Sequence, residues 1–333
     1  MSDAPPPPPP KRIADLIETI KESADKLAGD HTSRGDLKII SRTLRELRYA
    51  FKVFSPYRHT RKVTMFGSAR TLPEHPAYEQ AVAFGRAMAE HNWFVVTGGA
   101  SGIMEAGHSG AGRDRSMGLN ILLPFEQLAN PIIRGDRKLV YMKYFFTRKL
   151  MFVKESDAFC LMPGGFGTLD EGLEVLTLLQ TGKHDMMPVV LLDQPGGDYW
   201  LGFDQFVRRQ LLDRGMINEE DLSLYRLTDR VDEAVEEILR FYRVYHSMRY
   251  VRTSLVFRLQ RPLGQEMLDE MNDRFGDILI GGRFTLGGPL AEECEETQLV
   301  DLPRLIFHFN RRDFGRLRQL IDFVNCGVPD DAS

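Results

Sequence analysis

The chain has 333 residues, which exceeds the usual size of one domain, so we expect one large domain with accessory pieces. Its 43% hydrophobic and 27% charged residues are typical of a globular protein, and its apolar runs are too short to span a bilayer, which argues against membrane proteins. A net charge of -4 argues against a basic nucleic-acid groove, and three widely spaced cysteines fit neither a disulfide framework nor a metal cluster.

The beginning of the chain indicates neither a signal peptide nor a transit peptide, so we expect a soluble, cytoplasmic protein. Six consecutive prolines within residues 1–10 predict a disordered tail. Two helices are predicted over residues 11–56, and we expect them to pack on the main domain or on another subunit. Apolar residues recur there at helical spacing: Ile13, Leu16, Ile17 and Ile20, then Leu37, Ile40, Leu44, Leu47 and Phe51.

The central segment, residues 61–247, predicts an α/β domain with a doubly wound, Rossmann-like parallel sheet. Short apolar runs alternate there with amphipathic segments, as strands joined by crossover helices require. The expected strands cover residues 63–66, 93–97, 118–122, 157–162 and 189–192, with an edge strand near 225–227. The expected helices cover residues 75–91, 102–113, 145–154, 168–181, 199–213 and 231–246.

The last segment, residues 250–327, predicts a small α+β appendage. Apolar and polar residues alternate at 255–260, a helix is expected near 265–275, and an apolar run at 305–309 precedes a basic helix at 311–324. A cluster of arginines is expected to form a solvated helix face, with contact to RNA or to a phosphate effector as the alternative. The cluster comprises Arg304, Arg311, Arg312, Arg316 and Arg318.

Glycine-rich loops follow the first two predicted strands. Gly67 and Ser68 follow the first, and Gly98 and Gly99 follow the second. Ligands of doubly wound sheets bind beyond the carboxyl ends of the strands, where N–H groups at the start of the next helix attract anions. Each loop alone fits a simple turn from strand to helix equally well.

A third loop, residues 163–171, reads Pro-Gly-Gly-Phe-Gly-Thr-Leu-Asp-Glu and also leads from an apolar strand into a helix. This order is typical of phosphate binding, but the loop has neither a Walker nor a dinucleotide fingerprint, so ATP and NAD are not expected. Of its two carboxylates, Asp170 and Glu171, at least one should turn toward a sugar, where it can stabilise an oxocarbenium-like centre or orient water. The alternative is a capping box, with Thr168 as the cap and Glu171 reaching back.

Two adjacent cations, Arg148 and Lys149, lie near the start of the helix predicted over residues 145–154. Cations there oppose the helix dipole, and a bound phosphate would explain them. Arg148 can hold a phosphate through a fixed pair of donors, whereas Lys149 offers a point charge. The alternative is a solvated basic face, or a salt bridge to Glu155 or Asp157.

The remaining conspicuous residues favour structural roles. His108 has no acidic or cysteine partner at ligand spacing, so we expect a polar surface or interface residue and no metal site. The methionines are expected to fill gaps in cores and interfaces, and Met104 and Met151 are also candidates for lining a base pocket.

Three motifs, in this order, resemble the LOG family of cytokinin riboside 5′-monophosphate phosphoribohydrolases. They are Gly98-Gly99-x-x-Gly-Ile-Met-Glu, Arg148-Lys149-x-x-Met, and the Pro-Gly-Gly-x-Gly-Thr-x-x-Glu sequence that ends at Glu171. The match covers roughly residues 61–242, and the segments 67–70 and 118–127 resemble the longer bacterial branch of the family. The resemblance implies release of an N6-modified adenine and ribose 5-phosphate, with no cofactor and no metal.

Members of the family are often labelled lysine decarboxylases, but the sequence has no pattern of a pyridoxal-phosphate site.

By this resemblance Arg148 and Glu171 are the catalytic pair. The substrate-binding candidates, from the resemblance and the three loops, are Gly67, Ser68, Gly98, Gly99, Met104, Lys149, Gly164, Gly165, Phe166, Gly167, Thr168 and Asp170.

The expected partners are a small-molecule nucleoside monophosphate and further copies of the chain in a homo-oligomer, at least a dimer, as the resemblance implies. Neither nucleic acid nor a membrane is expected. The alternative function is a carrier that holds a nucleotide or a phosphate-bearing pterin without hydrolysis, on the fold that molybdenum cofactor carriers share with LOG proteins. A structural or regulatory oligomer is a third hypothesis.

Overall fold

The computed structural model describes residues 11–122, 128–293 and 297–326. The proline-rich segment 1–10 and residues 123–127 of the motif at 118–127 lie outside the described residues, so what the sequence predicts for them stays a prediction. The chain divides into two units, Met1–Lys52 and Val53–Ser333. None of the described helices is long and apolar enough to cross a bilayer.

The first unit consists of the two predicted helices. α1 spans Lys11–Lys26, and α2 spans Arg34–Phe54, so that its last two residues belong to the second unit. A reciprocal capping box starts α2, because the Ser33 hydroxyl accepts from the Asp36 N–H at 3.2 Å while the Asp36 carboxylate accepts from the Ser33 N–H at 3.2 Å.

The second unit contains a seven-stranded parallel sheet with the strand order β4-β3-β2-β1-β5-β6-β7. Four of the inner strands, β1, β2, β5 and β6, are apolar or nearly so and are buried along their whole length, as strands covered by helices on both faces must be. The Rossmann-like fold class is therefore confirmed. The strands are β1 Lys62–Phe66, β2 Phe94–Thr97, β3 Ser116–Ile121, β4 Leu139–Met142, β5 Ala158–Leu161, β6 Val189–Leu192 and β7 Arg226–Thr228.

Helices join these strands as crossovers. Phe84 of the third helix, Ile103 of the fourth and Ile238 of the eighth pack on Val63 and Val95 of the sheet in one buried cluster. Pro76, at the first turn of its helix, has the fixed φ that a helix start needs. The helices are α3 Pro76–Glu90, α4 Ile103–Ala111, α5 Phe145–Glu155, α6 Phe166–Gln180, α7 Tyr199–Phe206, which continues as a π-helix over Val207–Leu212, and α8 Val231–Phe241.

The strand order reverses between β1 and β5. From β1 the chain moves outward through β2, β3 and β4, then returns to pair β5 on the other side of β1. The loops that follow β1 and β5 therefore diverge at the switch point, where doubly wound sheets hold their ligands.

Two strands of the structure, β4 and β8, were not predicted from the sequence. β4 is a four-residue edge strand with Tyr141 exposed, and so short a run shows no clear alternation of apolar and polar residues. The helix predicted over residues 231–246 ends at Phe241, and β8 begins at Tyr245. The Tyr245 ring packs on the rings of Phe241 and Phe257 at 5.3 and 5.1 Å, and these long-range contacts place it in a sheet.

The predicted α+β appendage is confirmed as a four-stranded antiparallel sheet with the order β10-β11-β9-β8 and two helices. Its middle strands β9 and β11 pair in register from Arg304 opposite Arg258 to Phe307 opposite Leu255. The elements are β8 Tyr245–Val251, β9 Ser254–Leu259, α9 Gln265–Arg274, β10 Thr285–Gly287, β11 Arg304–Phe307 and α10 Phe314–Cys326.

The expectation of a solvated arginine face is wrong for Arg304 and Arg318, which are 1% and 3% exposed. Arg304 pairs with buried Glu293 at 3.0 Å, and Arg318 pairs with buried Glu237. A buried cation needs such a partner, and Glu293 and Glu237 come from other elements, which helical periodicity does not reveal. Arg312 does point into solvent.

Removing the charge of Glu293 should destabilise the appendage. Its carboxylate accepts from Arg258 at 2.9 Å and from Arg304 at 3.0 Å, so Glu293→Gln removes the negative charge that these two buried cations share. We expect a loss of about 3 kcal/mol or more in the free energy of unfolding, measured by urea denaturation.

Glu292→Gln is the matched control, because the neighbouring Glu292 pairs with Arg252, whose side chain is 83% exposed. That change should cost less than about 1 kcal/mol. Equal losses in the two variants would contradict a buried network at Glu293.

Candidate active site

The three glycine loops meet at the carboxyl edge of β1, β2 and β5. Ser68 donates its backbone N–H to the Pro163 carbonyl at 3.0 Å, which joins the first loop to the third. The first and second loops are joined by two hydrogen bonds, from the Ile103 N–H to the Ser68 carbonyl at 3.0 Å and from the Ser101 hydroxyl to the Ala69 carbonyl at 2.9 Å. The loops therefore form one connected wall.

Close approach of the backbones requires glycine at two positions in this wall. Gly102 has φ +66, and a Cβ there would lie 2.3 Å from the Ser68 carbonyl oxygen. A Cβ at Gly164 would lie 2.2 Å from the Thr168 hydroxyl oxygen and 3.0 Å from the Ser68 nitrogen.

The second loop depends on His108, which is fully buried, so the prediction of a surface or interface residue is wrong. Its Nε2 lies 2.9 Å from the Met117 carbonyl, and its Nδ1 lies 3.2 Å from the Asn130 amide nitrogen. Asn130 in turn donates its backbone N–H to the Gly99 carbonyl at 2.8 Å. Burial lowers the pKa of His108 to about 4, so a neutral ring holds this loop at pH 7.

Most of the predicted site residues line one cavity of about 730 Å³ beside these loops. It is large enough for a nucleotide-sized ligand. The predicted residues in its wall are Gly67, Ser68, Gly98, Met104, Arg148, Gly164, Gly165, Phe166, Gly167 and Thr168.

Four other predicted site residues, Gly99, Lys149, Asp170 and Glu171, are described but do not line this cavity. Glu171 is connected to it through Arg148, whose guanidinium Nη2 lies 3.7 Å from the Glu171 carboxylate. Asp170 has a side chain 60% exposed. The site thus has a wall that faces the cavity and a charged layer next to Arg148.

The cavity wall also contains residues that the predicted site did not include. Asn120 and Ile121 end β3, Phe145 starts α5, and Arg70 closes the first loop. The positions of these residues at the carboxyl edge of the sheet could have identified them, because every strand end near the switch point faces the ligand region. The other members are Phe66, Ala69, Ala100 and Leu169.

α6 begins at Phe166 with Gly165 as its N-cap, and no side chain caps it. The capping-box alternative is therefore wrong, since Thr168 lies inside the first turn. The first N–H groups of a helix have no partner within the helix, and here they start at the cavity wall. Together with the dipole, this arrangement favours an anion. Phe166 is 93% exposed and presents its ring beside these groups.

Arg148 is a buried cation in the cavity wall, with a side chain only 11% exposed. Its Nε has no hydrogen-bond partner among the described residues, and its guanidinium lies 4.9 Å from the centre of the Phe145 ring. Burial lowers the pKa of Arg148, against the effect of the nearby Glu171 and Asp170 carboxylates. The carboxylate that pairs with Arg148 is that of Glu171. The alternative interpretation of the sequence expected a salt bridge to Glu155 or Asp157.

Lys149 points at the carboxylates of α6. Its Nζ lies 2.6 Å from Glu174, 3.0 Å from Asp170 and 3.5 Å from Glu171. Burial would lower the pKa of Lys149, but the hydrogen bond to Glu174 and the neighbouring carboxylates outweigh it and raise that pKa. For Glu171 burial prevails over the two cations and raises the pKa of the carboxyl. The ammonium group of Lys149 thus lies among three carboxylates of one helix.

Tyr199 supports the third loop from outside. Its hydroxyl donates to the Gly164 carbonyl at 2.7 Å, which fixes the peptide that precedes the N-cap of α6. Neither Tyr199 nor Glu174 was predicted. Glu174 lies three residues after Glu171 and four after Asp170, so helical spacing could have predicted that it lies beside them. No feature of the sequence indicates the contact of Tyr199.

The chain is similar in sequence to known proteins. A family model described as "Possible lysine decarboxylase" matches residues 99–238. A cytokinin riboside 5′-monophosphate phosphoribohydrolase of Mycobacterium marinum is 30% identical over 168 residues, which are 49% of this chain and 87% of that protein. The chain belongs to the LOG family.

A second LOG relative, a cytokinin riboside 5′-monophosphate phosphoribohydrolase of Arabidopsis thaliana, is 29% identical over 188 residues, 55% of this chain and 82% of that protein. Among solved structures, the molybdenum cofactor carrier protein of Chlamydomonas reinhardtii is 21% identical with a TM-score of 0.37, covering 55% of this chain and 98% of that one. At that TM-score the likeness carries no functional argument.

Gly165→Ala should weaken anion binding in a chain that still folds. A Cβ at Gly165 meets no atom within 4 Å in this structure, but Gly165 lines the cavity beside the start of α6, so the methyl group occupies space that an anion needs. We expect the affinity for inorganic phosphate, measured by calorimetry, to fall by about tenfold, or 1.4 kcal/mol.

Gly164→Ala provides the contrast, because its methyl group collides with Thr168 and should lower the free energy of unfolding by about 1–3 kcal/mol. Unchanged phosphate affinity in a folded Gly165→Ala protein would contradict an anion site at this loop.

Proposed function

We propose that the chain hydrolyses the N-glycosidic bond of a nucleoside 5′-monophosphate to a free base and ribose 5-phosphate. The observation that carries the proposal is the position of Arg148, which faces the cavity with an unused Nε while Glu171 lies 3.7 Å away. A cation for the phosphate and a carboxylate for the sugar are thus side by side. The family relationship supports the same reaction, since the relatives named above are phosphoribohydrolases.

The phosphate end of the site is the third loop. The residues that carry the first N–H groups of α6, the Thr168 hydroxyl and the Arg148 guanidinium all line this cavity. Arg70, exposed at the cavity, supplies a second cation. Hydrogen bonds from charged donors to phosphate are the stronger kind, and they position the rest of the nucleotide.

The cavity also has an apolar lining. Met104, Ile121, Phe145 and Phe166 contribute side chains to it, and the Phe166 ring is almost fully exposed. An exposed aromatic ring gains when a flat base stacks on it. This surface suits adenine and adenine with an apolar N6 group.

The reaction needs a negative group near the anomeric carbon. As the bond from C1′ to the base nitrogen breaks, its electron pair goes to the base, and positive charge grows on the ribose. Glu171 stabilises that charge and orients a water molecule. The water oxygen bonds to C1′, one proton goes to the leaving base, and the other stays on the new hydroxyl group, so all atoms balance.

Lys149 acts in this account as a positioning residue. Its ammonium group bridges Glu171, Asp170 and Glu174, and so keeps the Glu171 carboxylate turned toward Arg148. The raised pKa of Glu171 indicates that burial destabilises the ionised carboxylate. A positively charged transition state beside this carboxylate would therefore be stabilised strongly.

Assembly and location belong to the same proposal. The enzyme acts on a small-molecule nucleotide as a homo-oligomer, at least a dimer, in the cytoplasm. These features come from the family resemblance and the sequence, and each stays a prediction.

The test is the release of free base from AMP, N6-isopentenyl-AMP and adenosine, followed by chromatography. Because phosphate binding positions the distant bond, we expect the two nucleotides to be hydrolysed and adenosine to have a kcat/KM lower by about 10²-fold or more. Equal turnover of adenosine and AMP would contradict the proposed use of the phosphate.

The same experiment addresses the carrier hypothesis. A protein that hydrolyses none of the nucleotides and is purified with a bound pterin would be a carrier. In that case the cavity holds its ligand without cutting it.

A further inference from the structure

Two buried asparagines lie near the candidate site, and their side chains differ in what they bind. The amide nitrogen of Asn130 donates to the Ala100 carbonyl at 3.1 Å and lies 3.2 Å from Nδ1 of His108. Asn120 is only 2% exposed, yet its side-chain amide makes no hydrogen bond to any residue that the structure describes. Because buried amides are nearly always hydrogen-bonded, the amide of Asn120 is suited to bind a ligand.

Asn120 lines the cavity of the candidate site, near the carboxyl end of β3. Its Nδ2 lies at the second loop, 3.4 Å from the position that a Cβ on Gly99 would take. Among the described residues of the cavity wall, Asn120 alone carries an amide, which presents an acceptor and a donor in one plane. The other polar side chains of this wall are those of Ser68, Arg70, Arg148 and Thr168.

The strand order places Asn120 at a distance from the proposed phosphate site. α6, whose first N–H groups favour an anion, follows β5, and β3 lies three positions from β5 in the sheet. Neighbouring strands are about 4.8 Å apart, so roughly 14 Å separates β3 from β5. In a nucleoside monophosphate the base is the part farthest from the phosphate, whereas the ribose is bonded to the phosphate. The position of Asn120 therefore corresponds to the base.

We propose that the Asn120 amide binds the edge of an adenine base and makes the site selective for 6-aminopurines. This inference rests on the proposed function, because it takes the ligand of the cavity to be a nucleotide. The amide oxygen accepts from N6–H while the amide nitrogen donates to N7, and adenine offers this donor and acceptor side by side. An N6-substituted adenine keeps one N6–H and can make both bonds. A 6-oxopurine has acceptors at both positions, so one of them faces the amide oxygen.

The first test compares Asn120→Leu with the wild type on AMP, 2′-deoxy-AMP and purine riboside 5′-monophosphate, which lacks the 6-amino group. Leucine has nearly the shape of asparagine without its polar atoms, so we expect kcat/KM for AMP to fall by about tenfold or more, the effect of one bidentate contact. The same loss is expected for 2′-deoxy-AMP, and a smaller loss for purine riboside 5′-monophosphate. A loss that disappears with 2′-deoxy-AMP would place Asn120 at the ribose and overturn the proposal.

A ligand without a base and the second asparagine serve as controls. Calorimetry should give the same affinity for ribose 5-phosphate in the wild type and in Asn120→Leu, and weaker binding by the variant would overturn the proposal. Asn130→Leu removes an amide that has partners within the chain, so its free energy of unfolding should fall in urea denaturation, whereas that of Asn120→Leu should not. Equal losses in the two variants would assign Asn120 a structural bond and overturn the proposal.

Asn120→Asp is a second variant, which keeps the size and polarity of the side chain but has no donor for N7. Its kcat/KM for AMP should also fall by about tenfold or more. An unchanged value in either folded variant would overturn the proposal. If the wild type binds AMP but releases no base, the proposed reaction fails by itself, and the same comparison made with dissociation constants decides the role of Asn120.

Discussion

The hydrogen bond from the Ser68 N–H to the Pro163 carbonyl, 3.0 Å long, joins the loops that leave β1 and β5. Because the strand order reverses between these two strands, their loops diverge, and the ligand region opens between them. Gly164 lies beside this bond, where a Cβ would be 3.0 Å from the Ser68 nitrogen, and Gly102 lies on the other side of Ser68, where a Cβ would be 2.3 Å from the Ser68 carbonyl oxygen. The wall of the candidate site therefore follows from the topology of the sheet, and the side chains add its chemistry.

The charged residues next to this wall form a layered arrangement in which each group depends on its neighbour. Arg148 faces the cavity, Glu171 lies beside it, and Lys149 holds Glu171 together with Glu174. Burial raises the cost of the charges on Arg148, Lys149 and Glu171, so the interactions among these three are stronger than at the surface. A ligand anion that reaches Arg148 would complete the set, because the Arg148 Nε lacks a partner among the described residues.

The sequence predicts a structural feature of this protein when the residues that determine the feature are close together in the chain. Glycines beside strand ends predicted the three loops. Apolar runs predicted β1, β2, β3, β5 and β6, because a strand that is buried on both faces is apolar along most of its own length. The partners of Arg304 and the surroundings of His108 are set by distant residues, and the sequence gives no sign of them.

The same distinction holds within the site. Arg148 and Glu171 were found from motifs, and they are 3.7 Å apart in the structure, but their relation to the cavity was not predictable. A role of Lys149 at the nucleotide stays a prediction, whereas its contacts with the carboxylates of α6 were not predictable, since the direction of a long side chain depends on the charges packed around it.

The central claim is that Glu171 acts on the sugar while the loops bind the phosphate. Its most direct test compares Glu171→Gln with Glu174→Gln, which removes a neighbouring charge but leaves the Glu171 carboxylate in place. We predict that Glu171→Gln binds AMP with nearly the affinity of the wild type, measured by calorimetry, while its turnover falls by about 10²–10⁴-fold, far more than in Glu174→Gln. Turnover by Glu171→Gln at the wild-type rate would contradict the account.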